Sequence, residues 1–535
     1  MPSSPFTAPL TWDTFPTASS EDWVQLILKE NPDFTLEKLK TLLPEGIMLE
    51  PFYAIDPAAI QQIWPNPEEY NFVRNLDAAS VMCLQKFSGT ELDLIQEAYA
   101  SGLRFAAITG EWNPSLMRQF PDILWDLTST IHLEQILVSN PLQGIANLNP
   151  DTTRFSIDFP PFFSPYQIDF THWQYQGANR VQALTAGFWQ LNQWVESALN
   201  LGKSSTDFFP RLCFRIAVDT EILPMISMVR AFRSLYFRYA ISQGISNPAQ
   251  PLLILEQSAS GWSGIDVQTN LLRSAIGALI ASLSGADYYI PIPFSTQANR
   301  SFTLRIGRNL LHLLQAESYL DKEVDPAGGA VSIETLAWQM KEQTIHQLVS
   351  VSEVGNTENL ISEISSQRLK TEKAYRTGKL SAIGVNYSPT IERTIPEPPE
   401  SPAPDFRPAA LFETEIRKNW ELPPVYLFAL TDDLQAQSRG TFVTQFLDTC
   451  GIKSTTSEII NKVIIFYGND ESYTTLEELE KNVSLFSNRY WWLVAKPGTL
   501  AESFDLSSGF QGYIHLGADR IETCQKIAQQ LQVQV

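Results

Sequence analysis

From about residue 70 to 385 the chain alternates between short apolar runs and longer segments with apolar residues at helical spacing. The runs that predict strands are Phe105–Thr109, Gln135–Ser139, Thr153–Asp158, Tyr166–Thr171, Leu212–Val218, Leu252–Gln257 and Ala286–Ile292. The helical spacing covers Asn179–Leu199, Glu221–Ser242, Val267–Leu283 and Phe302–Ala316. Strands that alternate with helices predict an α/β fold with a parallel sheet and crossover connections. About eight such units in some 300 residues predict a TIM (β/α)8 barrel, with an open doubly wound sheet as the alternative. In a barrel the ligand lies at the C-terminal ends of the strands. That makes His172, Arg211, Cys213, Glu256, Ser258 and the segment Ile292–Thr296 the residues to examine.

The rest of the chain divides around this barrel, expected over residues 66–387. Residues 1–65 form an N-terminal arm, with helices expected over Glu21–Glu30 and Thr35–Leu43 and a turn at Pro44-Glu45-Gly46. Its aromatics, Trp12, Phe15, Trp23, Phe52, Tyr53 and Trp64, suit docking on its own barrel or on a partner. Residues 388–420 are a linker. Pro389, Pro396, Pro398, Pro399, Pro402, Pro404 and Pro408 favour an extended, semi-rigid spacer. Over residues 421–535 strands are expected at Val425–Leu430, Lys462–Tyr467, Tyr490–Ala495 and Gly512–Leu516. They alternate with helices at Ser438–Cys450, Thr475–Phe486 and Ala518–Leu531, which predicts a flavodoxin-like doubly wound domain.

Within the barrel, Ile306, Leu310, Leu313 and Leu314 mark one apolar helix face. Asp325-Pro326-Ala327-Gly328-Gly329 stops that helix, because Pro326 lacks an N–H and the glycines accept positive φ. A new helical run follows from Leu336 to Leu348.

Composition narrows the class. The 535 residues are 44% hydrophobic and 18% charged, a globular balance too large for one ordinary core. The net charge of −21, from 38 Lys+Arg against 59 Asp+Glu, speaks against nucleic-acid or anionic-membrane surfaces. Cys83, Cys213, Cys450 and Cys524 are far apart in sequence, which fits a reducing compartment and no zinc knuckle. The first residues carry neither a basic nor an apolar signal region, and no run suits a membrane span. The expected setting is therefore cytoplasmic.

Most catalytic signatures are missing: no P-loop, GxGxxG, HExxH or GxSxG occurs. The five histidines, His132, His172, His312, His346 and His515, include no pair at metal-ligand spacing on one helix face, so no metal site is expected. His172 follows a strand-like run, where it is either a donor in the barrel mouth or a loop histidine. Arg211 starts a strand, as either an anion clamp or a member of an inter-strand ion pair.

Several motifs together resemble the adenosylcobalamin-dependent acyl-CoA mutase family, and methylmalonyl-CoA mutase in particular. The stretch Arg305-Ile306-Gly307-Arg308-Asn309 is followed by Gln315-Ala316-Glu317-Ser318, the Asp325–Gly329 turn and Trp338, in the family's order and spacing. Pro210-Arg211-Leu212-Cys213-Phe214, Ser258–Ser263, His172–Ala178 and Pro44–Tyr53 resemble further family segments. The resemblance implies a barrel enclosing an acyl-CoA chain, followed by a cobalamin-binding domain. It also implies that Glu317 corresponds to a residue contacting the adenosyl group.

The departures matter as much as the matches. The family's cobalt-binding Asp-x-His-x-x-Gly corresponds here to Gln435-Ala436-Gln437-Ser438-Arg439-Gly440. Glutamine offers no ring nitrogen to cobalt and no carboxylate to orient one. Glu256 falls at or near a family histidine, where its charge is expected to repel an anionic acyl-CoA, and Cys213 replaces a serine. The N-terminal pattern around the CoA tail is reduced to Asn71–Asn75. His172, Arg211 and Glu317 remain as remnants of a site, with no catalytic, cofactor or metal set intact. This pattern resembles the small (β) subunit of heterodimeric members. It implies a large catalytic partner that binds adenosylcobalamin and interconverts succinyl-CoA and methylmalonyl-CoA. The alternatives are an active mutase for another acyl-CoA with a separate cobalamin subunit, and a non-catalytic acyl-CoA sensor.

Overall fold

The computed structural model describes residues 19–32, 35–53, 57–74, 81–88, 90–109, 116, 119–120, 123–126, 144–145, 163–355, 357–389, 396–397, 404–419, 421–457, 462–473, 489–500 and 509–532. The expected strands Gln135–Ser139 and Thr153–Asp158, the helix Thr475–Phe486, and Trp12, Phe15 and His132 lie outside these residues.

The larger sheet is parallel throughout and is ordered by its hydrogen bonds as a ladder. Met82–Ser88 pairs with Phe105–Thr109, which pairs with Leu124–Asp126, then Gly144–Ile145, then Phe163–Ser164. On its other edge Met82–Ser88 pairs with Tyr288–Ile290, then Leu252–Gln257, Leu212–Val218 and Tyr166–Asp169. The two ends of the ladder, Phe163–Ser164 and Tyr166–Asp169, are separated in the chain only by Pro165. One stretch therefore bridges both ends, and the sheet curls round as in a TIM-like domain.

Strands buried on both faces read as continuous apolar runs. Leu212–Val218 and Leu252–Gln257 do so, and their bounds agree with those expected from sequence. Strand Met82–Ser88 escapes that reading because Gln85 and Lys86 interrupt its apolar residues. The helices Arg180–Asn200, Ile222–Ser242, Val267–Leu283 and Arg300–Ala316 cover the outside. A capping box from Asn179 and Gln182 fixes the start of the first.

Three expectations change. No helix spans Thr35–Leu43: a short 3₁₀ turn, Leu36–Leu39, leads into Thr41–Leu42, which pairs with Met48–Leu49. Gly46 at φ 78 closes this hairpin, and its N–H donates to Leu43 O. Thr171 is not strand but opens the short helix Thr171–Tyr175. The linker region is not simply a spacer. Pro408–Asn419 is a helix whose Ala409 and Phe412 belong to the core of the second unit.

That second unit holds a five-stranded parallel sheet. Numbered in chain order from Val425–Ala429, its strands lie in the order 2-1-3-4-5. Leu434–Asp448 and Arg520–Gln532 pack on it.

Candidate functional site

The sequence-derived remnants do not converge. His172 lies just past the C-terminal end of Tyr166–Asp169, exposed, with its ring 3.0 Å from Gln176 Nε2 one helical turn on. Arg211 immediately precedes Leu212–Val218, at the opposite, N-terminal end of the barrel. Glu317 caps the C-terminus of Arg300–Ala316, exposed. That helix starts near the strand C-termini, where Arg300 Nη2 donates to Lys86 O. It ends at the other face, where Gln315 Nε2 donates to Val81 O at 2.9 Å. Arg211 and Glu317 therefore sit on the face opposite His172. Cys213, also near a strand N-terminus, is packed with Leu84, Phe105, Ile254 and Tyr288 in the barrel interior.

Above that apolar layer the interior is ionic. Arg215 is the only charged residue of its strand and shares the inward parity of Cys213. Its Nε donates to Glu256 Oε2 at 2.6 Å, and Lys86 Nζ donates to Oε1 at 2.7 Å. Burial opposes the Glu256 charge, but Arg215 and Lys86 overcome it and hold the carboxyl at about 2. The expected repulsion of an anionic acyl-CoA by Glu256 is thus changed, because two cations neutralise that charge at contact distance. Parity along Leu212–Val218 carried a signal for Arg215, whereas Lys86 lies in a strand whose pattern hid it.

The loops at the strand C-termini are occupied by the chain itself. Arg180 is bound by Glu45 Oε1 at 3.1 Å, by Asp219 Oδ2 at 2.8 Å and by Glu221. Trp262 Nε1 donates to Pro293 O, and Asn270 Nδ2 donates to Phe294 O. Ser258 turns its hydroxyl back to accept from Ser260 N. Across these loops Arg407 Nη1 donates to Trp262 O at 3.0 Å, and Phe406 N donates to Tyr175 O. Beside them Glu397 is seated on Ser295 and Thr296.

In the second unit, Gln435 and Gln437 lie in the first turn of Leu434–Asp448, whose N-cap is Asp433. Gln435 Nε2 donates to Asp470 Oδ2 at 3.1 Å, and Gln437 Nε2 donates to Asp432 Oδ1 at 3.3 Å. Arg439 donates to Gly468 O and Asp470. A Cβ on Gly440 would stand 2.8 Å from the Tyr467 ring, so the helix rests directly on the adjacent strand's last residue. Both glutamines are exposed, but neither offers the ring nitrogen that a cobalt ligand of this kind supplies, so the donor set does not fit. Among the described residues no group of three or more His, Cys, Asp or Glu could hold a metal, and no helix is long and apolar enough to cross a membrane.

Comparison with known proteins places the chain in a family. The family described as methylmalonyl-CoA mutase matches residues 129–462, well over half of the chain. The chain belongs to the methylmalonyl-CoA mutase family. Among curated relatives it is similar to methylmalonyl-CoA mutase of Escherichia coli K12, at 29% identity over 42% of this chain and 33% of that protein. It is similar to the methylmalonyl-CoA mutase small subunit of Porphyromonas gingivalis, at 22% identity over 62% of this chain and 60% of the relative. It is also similar to the large subunit from that organism, at 26% identity over 45% and 35%. The chain thus spans between a third and three fifths of the length of these relatives.

Proposed function

We propose that this chain is the small, non-catalytic subunit of a heterodimeric adenosylcobalamin-dependent methylmalonyl-CoA mutase. Its partner, a large subunit, holds the cofactor and interconverts succinyl-CoA and methylmalonyl-CoA in the cytoplasm. The second unit is then a degenerate flavodoxin-like cobalamin domain, a reading supported by its 2-1-3-4-5 strand order. The observation that carries the proposal is the place of the cobalt ligand. Gln437 stands there, in a formed helical turn, with its amide engaged by Asp432. The separation of His172 from Arg211 and Glu317, and the chain's own cover over the barrel mouth, support the same reading. They also weigh against an active mutase served by a separate cobalamin subunit.

The test is direct. The purified chain is titrated with adenosylcobalamin, alone and with a co-expressed large subunit. Cobalamin absorbance should stay with the protein, and turnover should appear, only in the complex. Tight retention by the isolated chain sinks the proposal.

A further inference from the structure

On the outside of the barrel, three helices frame a cavity of about 450 Å³. Its walls come from Arg180–Asn200, Ile222–Ser242 and Val331–Val354. Small-molecule sites occupy about 300–1,000 Å³, so the space suits a ligand of that kind. Phe188, Leu235, Ile345 and Leu348 make the lining largely apolar. All four belong to the main core or pack against it, so helix packing forms the cavity in advance. The first two helices lead into Leu212–Val218 and Leu252–Gln257, and their lining residues fall in the middle and C-terminal parts. A crossover helix returns toward the start of the next strand, so the cavity lies away from the barrel mouth.

Two charged residues line this space, and they are not equivalent. Glu196 accepts from Asn192 Nδ2 at 2.8 Å, and Asn192 Oδ1 accepts from the Tyr239 hydroxyl at 3.0 Å. That chain of bonds is complete within the wall. Arg238 commits only its Nε, which donates to Glu69 Oε2 at 2.9 Å. Glu69 is buried and also accepts from Ser234 Oγ and Lys341 Nζ, so both of its oxygens are taken. Among the described residues the two Nη groups of the half-exposed Arg238 make no hydrogen bond. They are the paired donors with which a guanidinium holds a carboxylate at two points.

We propose that this cavity binds a monocarboxylate with an aliphatic body, its chain among the four apolar residues and its head group on Arg238. A single negative charge suits the wall, because Glu196 stands in the same lining and opposes a second one. The assignment is independent of the proposed subunit role, since the cavity shares no residue with the barrel mouth or the second unit.

The test uses the full-length chain, titrated calorimetrically with sodium decanoate, decanol and decyl phosphate in separate experiments. Decanoate should bind saturably at one site per chain. Decanol should bind about tenfold more weakly, because it offers Arg238 no charge. Ser352→Trp places an indole at the exposed rim and should abolish decanoate binding while leaving the thermal midpoint unchanged. Arg238→Gln should bring decanoate down to the affinity of decanol. Should Arg238→Gln fail to fold, the comparison of decanoate with decanol on the wild type decides the head group, and Ser352→Trp decides the place. No saturable decanoate binding, or binding that Ser352→Trp leaves intact, overturns the site. Equal affinities for decanoate and decanol, or tighter binding of decyl phosphate, overturn the monocarboxylate assignment.

Discussion

Arg215 and Glu256 meet inside the barrel at 2.6 Å, diagonally across neighbouring strands, with Lys86 on the far oxygen of the same carboxylate. Two cations share one buried anion. Removing the anion leaves both cations without a partner, so Glu256→Leu should lose about 3–5 kcal/mol of stability, measured by denaturant unfolding. Replacing Lys86, Arg215 and Glu256 together by methionine should recover most of that loss, because the volume stays filled and no charge is stranded. If the triple variant is no more stable than Glu256→Leu, the cluster is not the source of the cost.

The same cluster sets a pH dependence. The Glu256 carboxyl is held at about 2, below its ordinary 4.5, because Arg215 and Lys86 outweigh burial. A depressed folded-state pKa means that the unfolded chain binds the proton first as pH falls. The contribution is therefore complete above 4.5 and fades as pH drops toward 2. Stability curves of wild type and Glu256→Gln should converge across that window and run parallel above it.

Much of the fold could be read from the chain because burial leaves a periodic trace. Leu212–Val218 and Leu252–Gln257 are apolar on both faces and fall where expected. Met82–Ser88 is hidden because Gln85 and Lys86 look like loop residues until their partners, Arg308 and Glu256, arrive from far along the chain. The site was less legible. Arg211 precedes its strand and Glu317 ends a helix that runs back against the strands, so both belong to the N-terminal face. A family motif preserves order along the chain, but the face on which a residue lies follows from strand direction. Glu397 carries no local signal, because its partners Ser295 and Gly264 lie more than a hundred positions away.

The Asp325–Gly329 turn is part of a second buried ionic centre. Arg230 Nη1 donates to Asp325 Oδ1 at 2.6 Å, and Nη2 donates to Glu334 Oε1 at 2.6 Å. Trp64 Nε1 and Gly329 N donate to the same Glu334 carboxylate at 2.8 and 2.9 Å. Four chain segments thus meet on one arginine and two acids, all almost fully buried. Glu334→Ala should cost about 3–5 kcal/mol and shift the Trp64 emission, because it strips the indole of its acceptor and leaves Arg230 buried with Asp325 as its one remaining carboxylate. A surface-like loss below about 1 kcal/mol would contradict this picture.

Asp448 should respond to pH in the opposite sense from Glu256. It ends the helix Leu434–Asp448, where the dipole disfavours an anion, and burial pushes its carboxyl up to about 6. With a raised folded-state pKa, the native chain holds the proton when the unfolded chain has released it. Its contribution is greatest below 3.8 and is lost as pH rises to about 6. Asp448→Asn should therefore stabilise the protein at pH 7 by about 1 kcal/mol, after allowing for the half-exposed carboxylate's solvent screening. At pH 3 the variant and wild type should unfold alike.

The proposal that the second unit is a degenerate cofactor domain predicts the outcome of putting a cobalt ligand back. Gln435→Asp with Gln437→His recreates the ligand pair in sequence. The rest of the element is tied down, however. Gly440 holds the helix against Tyr467, Arg439 is tied to Gly468 and Asp470, and the Tyr473 hydroxyl bridges to Val494 O at 2.8 Å. Positions 435 and 437 are exposed, in a first helical turn that the Asp433 cap fixes by accepting from Gln435 N and Ala436 N. Loss of such a cap costs about 1 kcal/mol before any side-chain pairing is counted. The double variant should therefore elute from a desalting column free of cobalamin absorbance, with the cofactor in the later small-molecule fractions, the result expected also of the wild type. Retention by the double variant would mean that the ligand alone was missing.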